Sequence, residues 1–351
     1  MIEQRDLEAA VGAGIVDAAT AARLTQFAAD HRRGTAGADE ESFRLLTGFN
    51  DIFVSIAVGL LLFAIGALGS QVSPVVGPAL VVAASWGLAE YFTRQRRMAL
   101  PSIALLLAFV GAVFVFGVVL FGAESSGERT ARVGFDVATG SASGTLGFAG
   151  AAALAAAAAF AHWRRFHVPI TVAAGAAALA GLALALASMA AVGAPNVLLA
   201  FVLIAGVAIF ALAMHFDARD RARVTRWSDV AFWLHLLAAP MIVHPVFTLT
   251  GLTGGAPTTG AAALVLLIYA GLTVVALAID RRALLVSALF YVIYATQALV
   301  MSGRGVSESY GVTALVIGGF LVLLSAAWRL IRARVITLLP EAITARLPAA
   351  V

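Results

Sequence analysis

The sequence predicts an all-α polytopic transmembrane helix bundle of about ten spans, with a small N-terminal helical hairpin. Three observations carry this reading. Hydrophobic residues make up 62% of the 351-residue chain and charged residues only 12%, about half the roughly 25% usual in soluble domains. Apolar runs recur between Asp51 and Arg332 at about the twenty residues a helix needs to cross a ~30 Å hydrocarbon core. The segments between these runs alternate between arginine-rich and arginine-poor. Such runs must be helical, because lipid offers no partner to an unpaired backbone N–H or C=O. The alternating-polarity segments of a transmembrane barrel are absent from the sequence.

The spans fall at about 51–70, 74–93, 100–122, 145–162, 168–191, 196–216, 229–250, 260–279, 283–301 and 310–331. Breaks coincide with Ser73-Pro74, Gly193-Ala194-Pro195-Asn196 and Gly254-Gly255-Ala256-Pro257, where turn chemistry is strongest. All 23 basic residues are arginine. Twenty of them lie in the N-terminal tail, in every second loop and in the C-terminal segment; only Arg129, Arg132 and Arg304 lie in the other loops. That bias puts the first set in the cytoplasm, with both termini inside. The expected organisation is a cytoplasmic module at 1–48, a ten-span domain at 49–332 and an amphipathic interfacial tail at 333–351, whose arginines would meet anionic headgroups. The lipid bilayer is the expected partner. Nucleic acid is not, although the formal charge is +4, because the arginines flank spans in short loops. The chain has no cysteine, which removes disulfides, thiolate metal sites and thiol catalysis. The first forty residues are too polar for a secretory signal peptide, so targeting rests on the first span.

The tail reads as two short helices. Leu7, Ala10 and Val11 share one helical face, and Gly12-Ala13-Gly14 breaks it. Asp17 is a good N-cap for a second helix over 18–31 with Leu24, Phe27 and Ala28 on its apolar side. Gly34–Gly37 ends that helix, and Asp39-Glu40-Glu41 leads to a turn at 43–46. Helices this short bury little surface alone, so residues 1–48 are expected to dock on a cytoplasmic protein, on a second copy or on the cytoplasmic loops. The pattern of Leu7, Ala10, Gly12, Gly14, Ile15, Val16, Asp17, Ala21 and Leu24 resembles the opening of a family of bacterial multi-span membrane proteins of unknown function. There a short helical hairpin precedes many apolar helices. The resemblance covers the tail and the overall layout, implies a cytoplasmic-membrane location, and brings no catalytic residues with it.

Ionisable residues within spans are functional hypotheses by default. Asp51, Glu90, Asp229 and Asp280 lie at the cytoplasmic ends of spans, where interfacial anchoring explains them; Glu90 can pair with Arg94 one turn on. The seventh span is richer. His235, Pro240, His244 and Pro245 follow Asp229, and two prolines predict a kink or break near the membrane centre, the place where transporters put substrate sites. His235 and His244 stand about 13 Å apart along an ideal helix, too far to share a metal ion. The ninth span carries a polar stripe of Ser287, Tyr291, Tyr294 and Gln297, which either lines a cavity or joins helices by hydrogen bonds. Gly59, Gly66, Gly175, Gly181, Gly318 and Gly319 fit the same packing account.

Nucleotide-binding loops, H-E-x-x-H and G-x-S-x-G are missing. The sequence therefore predicts no catalytic residues, no metal and no cofactor, and a protein that is not an enzyme. A reading of His235 and Asp229 as intramembrane catalysts is weak, since an ideal helix sets them ~120° apart. Two readings remain. One is a non-catalytic scaffold or regulatory protein whose hairpin binds a partner. The other is a carrier for a small solute, with its site at the broken seventh span and the stripe of the ninth.

Overall fold

The computed structural model describes residues 4–35, 49–122, 142–190, 194–221, 223, 225–252, 259–301, 306–344 and 347. Among them are thirteen α-helices and no strand. The chain divides into an N-terminal unit ending at Leu45 and a second unit from Leu46 to Ala350.

The N-terminal unit is the expected hairpin. Its first helix, α1 (Gln4–Gly12), closes in a Schellman turn. The Ile15 N–H donates to the Ala10 carbonyl at 2.9 Å and the Gly14 N–H to the Val11 carbonyl at 3.0 Å. Gly14 sits at φ +70°, a conformation glycine enters without steric cost. Asp17 then caps α2 (Ala18–Thr35): Oδ1 accepts the Thr20 N–H at 2.8 Å and Oδ2 accepts the Thr20 hydroxyl at 2.7 Å. The helix runs past the expected stop at His31 and through Gly34. Ala21 is buried, whereas Ile15 and Leu24 are 77% and 46% exposed. The expected acidic segment 39–41 and the turn at 43–46 lie outside the described residues.

The second unit holds α3 (Phe49–Val72), α4 (Val76–Ala89), α5 (Ala99–Gly122), α6 (Ala142–Phe166), α7 (Ile170–Ala190), α8 (Pro195–Arg219), α9 (Arg226–Leu249), α10 (Thr259–Ile279), α11 (Ala283–Met301), α12 (Val306–Thr337) and the single turn α13 (Glu341–Thr344). Eight of these, α3, α5 to α10 and α12, are long and apolar enough to cross a membrane. The second and ninth expected spans coincide with α4, which continues as a π-helix over Glu90–Gln95, and with the 19-residue α11. Large apolar side chains such as Phe63, Ile204, Leu267 and Leu315 face outward, each at least 65% exposed. That suits lipid and not water.

Helices α3, α4 and α5 pack on one another, α6 joins α5 to α7, and α10, α11 and α12 form a second group. The two groups meet through α9, which packs on α7, α8 and α11. Half of its spanning window is buried, the largest share of any span. The expected break in this helix does not occur. It is α-helical from Arg226 to Leu249 with Pro240 and Pro245 inside it. A proline's φ suits a helix, and what it removes is one N–H per ring, a loss that membrane helices tolerate when neighbouring helices close around the freed carbonyl. Here Gly206 of α8 does so: a methyl group built on it would lie 3.0 Å from the Met241 oxygen, the carbonyl that Pro245 leaves without its i+4 donor.

Three turns between neighbouring helices contain a non-glycine residue with positive φ: Arg97 before α5, His167 before α7 and Asp280 before α11, joined by Arg223 in the α8–α9 connection, all between 53° and 57°. At α10 the geometry is again a Schellman turn, with Arg281 N–H on the Ala276 carbonyl at 3.0 Å. Glu90 pairs with Arg165, Arg223 with Asp280, and the Trp163 and Trp227 rings lie 6.1 Å apart. These contacts bring all four arginine-bearing turns to one end of the bundle, as the alternation of arginine in the sequence requires.

Beyond α12 the described residues are few. The last span runs on to Thr337, and after α13 Leu347 is buried in a cluster with Ala239, Ile279, Ala283 and Leu284. Arg221 donates from Nε to the Leu347 carbonyl at 2.8 Å, so Leu347 is held against the bundle.

Candidate functional site

A cluster of buried polar side chains lies at the arginine-rich end, and its central residue is Asp217. A helical register puts Asp217 on the same face of α8 as Gly206, Ile209 and Ala213, all buried, so the carboxylate points inward although Arg219 follows two residues on. Arg281 reaches it because the left-handed Asp280 reverses the chain at the end of α10. Its Nη2 donates to Asp217 Oδ1 at 2.7 Å and to the Ser228 carbonyl at 3.2 Å. His235, more than two turns into α9, donates from Nε2 to Asp217 Oδ2 at 2.9 Å. Asp217, His235 and Arg281 are each at most 3% exposed. The Phe210 ring meets His235 edge-on at 5.2 Å, and His235 Nδ1 is buried without a hydrogen-bond partner among the described residues. One carboxylate thus balances one guanidinium and orients one imidazole. At this burial, Coulomb attraction must offset a desolvation cost of several kcal/mol per ion.

A second pair adjoins the first. Asp280 Oδ2 accepts from Arg223 Nη1 at 2.9 Å and Oδ1 accepts from the Trp328 indole at 2.8 Å, with Arg332 Nε 3.7 Å away. Burial, together with the neighbouring Arg281 charge, pushes the Arg223 guanidinium below its ordinary value. Arg282 lies over the Trp328 ring at 4.8 Å, a cation–π contact. Asp220 Oδ2 accepts both the N–H and the hydroxyl of Thr225 at 2.9 and 2.6 Å, which fixes the residue that caps α9 through Trp227 N–H. Across the bundle, Glu90 pairs with Arg94 at 3.2 Å as expected and, more closely, with both Nε and Nη2 of Arg165 at 2.6 and 2.9 Å.

The residues singled out from sequence separate into three groups. His235 belongs to the buried cluster, whereas Asp229, six residues earlier, is exposed in the first turn of α9. His244 and Tyr291 do meet: His244 Nδ1 and the Tyr291 hydroxyl are 2.6 Å apart, and the Tyr291 ring stacks on Phe247 at 4.3 Å with 3° between planes. Pro240 is exposed and Ser287 half-buried. Tyr294 and Gln297 lie on α11, and their side chains fall outside the described residues. No group of three or more His, Cys, Asp or Glu able to hold a metal occurs among the described residues. Asp217 and Arg281, which carry the cluster, do not stand out in the sequence as site residues. Both sit in arginine-bearing segments that read as loops.

No family model matches the chain, and no curated protein or solved structure is similar to it.

Proposed function

We propose that this is a multi-pass protein of a bacterial inner membrane, threaded ten times, with both termini and the arginine-rich turns in the cytoplasm. Its helical domain is a packed, non-catalytic scaffold, and residues 1–48 bind a partner protein. The observation that carries this reading is the use already made of His235 and His244 on α9 and of Tyr291 on α11. His235 bonds Asp217, and Tyr291 is stacked on Phe247 while bonded to His244. Side chains committed to one another in this way hold helices together and leave little to grip a solute. The exposed apolar residues Ile15 and Leu24 of the hairpin supply the surface for a partner.

The absence of cysteine makes the test direct. Single cysteines at His235, Pro240, Tyr291, Tyr294 and Gln297 are probed with a membrane-impermeant thiol reagent in intact cells and in inverted vesicles, beside cysteines at Ile15 and Leu24. The scaffold reading expects protection at the five span positions, and hairpin cysteines that label faster in purified protein than in native vesicles. Labelling at several span positions overturns it in favour of a carrier.

A further inference from the structure

Between the α6–α7 and α8–α9 turns lies a cavity of about 490 Å³ lined by Trp163, His167, Thr225, Arg226 and Trp227. We propose that it is a headgroup site for an anionic phospholipid of the cytoplasmic leaflet, with Arg226 on the phosphate and the two indoles against the glycerol and upper acyl chain. The leaflet rests on the topology proposed above; the headgroup chemistry does not.

Three observations point to this occupant. Trp163 stands three residues before the end of α6, and Trp227 is the second residue of α9. That is the depth at which amphipathic indoles meet lipid headgroups. The rings are held in place: Trp227 stacks on Phe216 at 5.0 Å with 4° between planes, and Trp163 packs on His167 at 5.4 Å. The charge is also uncommitted. Arg165, Arg223 and Arg281 are each spent on a carboxylate, whereas Arg226 is exposed and has no ion pair among the described residues. No carboxylate lines the cavity. A basic pocket between span ends, walled by aromatic rings, suits an acidic lipid headgroup better than a free anion, which gains nothing from indole walls.

The test uses the full chain purified in mild detergent and exposed to equimolar phosphatidylglycerol and phosphatidylcholine of identical acyl chains. Bound lipid is counted by native mass spectrometry. Wild type is expected to retain phosphatidylglycerol in preference, and Arg226→Gln to lower that preference about fivefold, the effect of one arginine near an anionic headgroup. Arg219→Gln, which removes an exposed charge outside the cavity, is expected to leave it unchanged. Quenching of tryptophan fluorescence by phosphatidylglycerol brominated near the glycerol should weaken in Trp227→Phe. Equal retention by wild type and Arg226→Gln overturns the site, and displacement by millimolar inorganic phosphate overturns the lipid as its occupant. If Arg226→Cys labels only from the periplasmic side, the leaflet and the topology fall together while the headgroup preference stands.

Discussion

Asp217 accepts from Arg281 and His235 at once and exposes no surface, so removing its charge would leave a guanidinium buried alone. Breaking a buried pair on one side costs about 3–5 kcal/mol, whereas replacing both partners by apolar groups is often near neutral. Asp217→Leu and Arg281→Leu are each expected to lower stability by that amount, and the two combined by clearly less. Unfolding titrations of the four proteins in mixed micelles measure the coupling; additive losses would show that the two side chains do not act as a pair. A contrasting expectation holds at Arg97. This residue is exposed and left-handed, a conformation costing a non-glycine residue about 1 kcal/mol. Arg97→Gly should therefore stabilise, whereas Asp280→Gly should destabilise, because relief of the same strain is outweighed by loss of the Arg223 and Trp328 bonds. Little of this was legible in the sequence. Asp217 stands among Asp220 and four arginines in a stretch that reads as a solvated loop, and what turns it inward is the last two turns of α8. Arg281 reads as an anchoring charge until the left-handed residue before it is known. Glu90 was half legible: its i+4 partner follows from spacing, but Arg165 is 75 positions away.

Helix boundaries and ends were easier to read, because the signals are local. The Asp17 cap and the Gly14 stop came from residue type alone. The hydrogen bonds from the Thr20 hydroxyl and N–H hold the Asp17 carboxyl below its ordinary value. A carboxylate with a lowered folded pKa stabilises above its unfolded pKa, and that contribution disappears as pH falls through the folded value. Hydrogen exchange over the first turn of α2 should therefore quicken as pH drops below about 4, after correction for intrinsic rates. Asp17→Asn, which still caps, should remove the pH dependence. Continued pH dependence in that variant would assign the effect to another group. The unbroken course of α9 is equally physical: proline pairs predict lost hydrogen bonds, but not that Gly206 closes on one of the freed carbonyls. Nor does sequence rank the glycines. A β-carbon added to Gly59, Gly318 or Gly319 would meet nothing within 4 Å, whereas one added to Gly206 would come within 2.9 Å of the Met241 backbone. Gly206→Ala is expected to cost about 1–3 kcal/mol by overpacking and Gly59→Ala nothing measurable, as thermal melts of the two proteins in the same detergent would show.

At the scale of the whole molecule, the arginine-rich end is bound together by charge, and the C-terminal tail is part of that binding. Hydropathy and arginine counts located the eight long apolar helices because both reflect the solvent around each segment. They carry no information on which surfaces the tail covers, since Leu339 and Leu347 are as compatible with a lipid surface as with a protein one. The structure puts Leu347 at 4% exposure and holds it by two carbonyl contacts from Arg221, one at 2.8 Å to Leu347 and one at 3.5 Å to Thr344. Arg221 sits in the same connection as Asp220 and Arg223, so the tail, the cap of α9 and the Asp280 pair share one short segment of chain. Freeing the tail should then be a local event with a readout at a distance in sequence. In the cysteine-free chain, Leu347→Cys is expected to react slowly with a soluble maleimide. Adding Arg221→Ala should speed the reaction about tenfold, the equivalent of losing a hydrogen bond from a charged donor. Arg334→Ala, which removes a charge from the last turn of α12, should not change the rate. If Leu347→Cys reacts equally fast with and without Arg221, the tail is held by its apolar contacts alone, and Leu339→Asp becomes the variant that should release it.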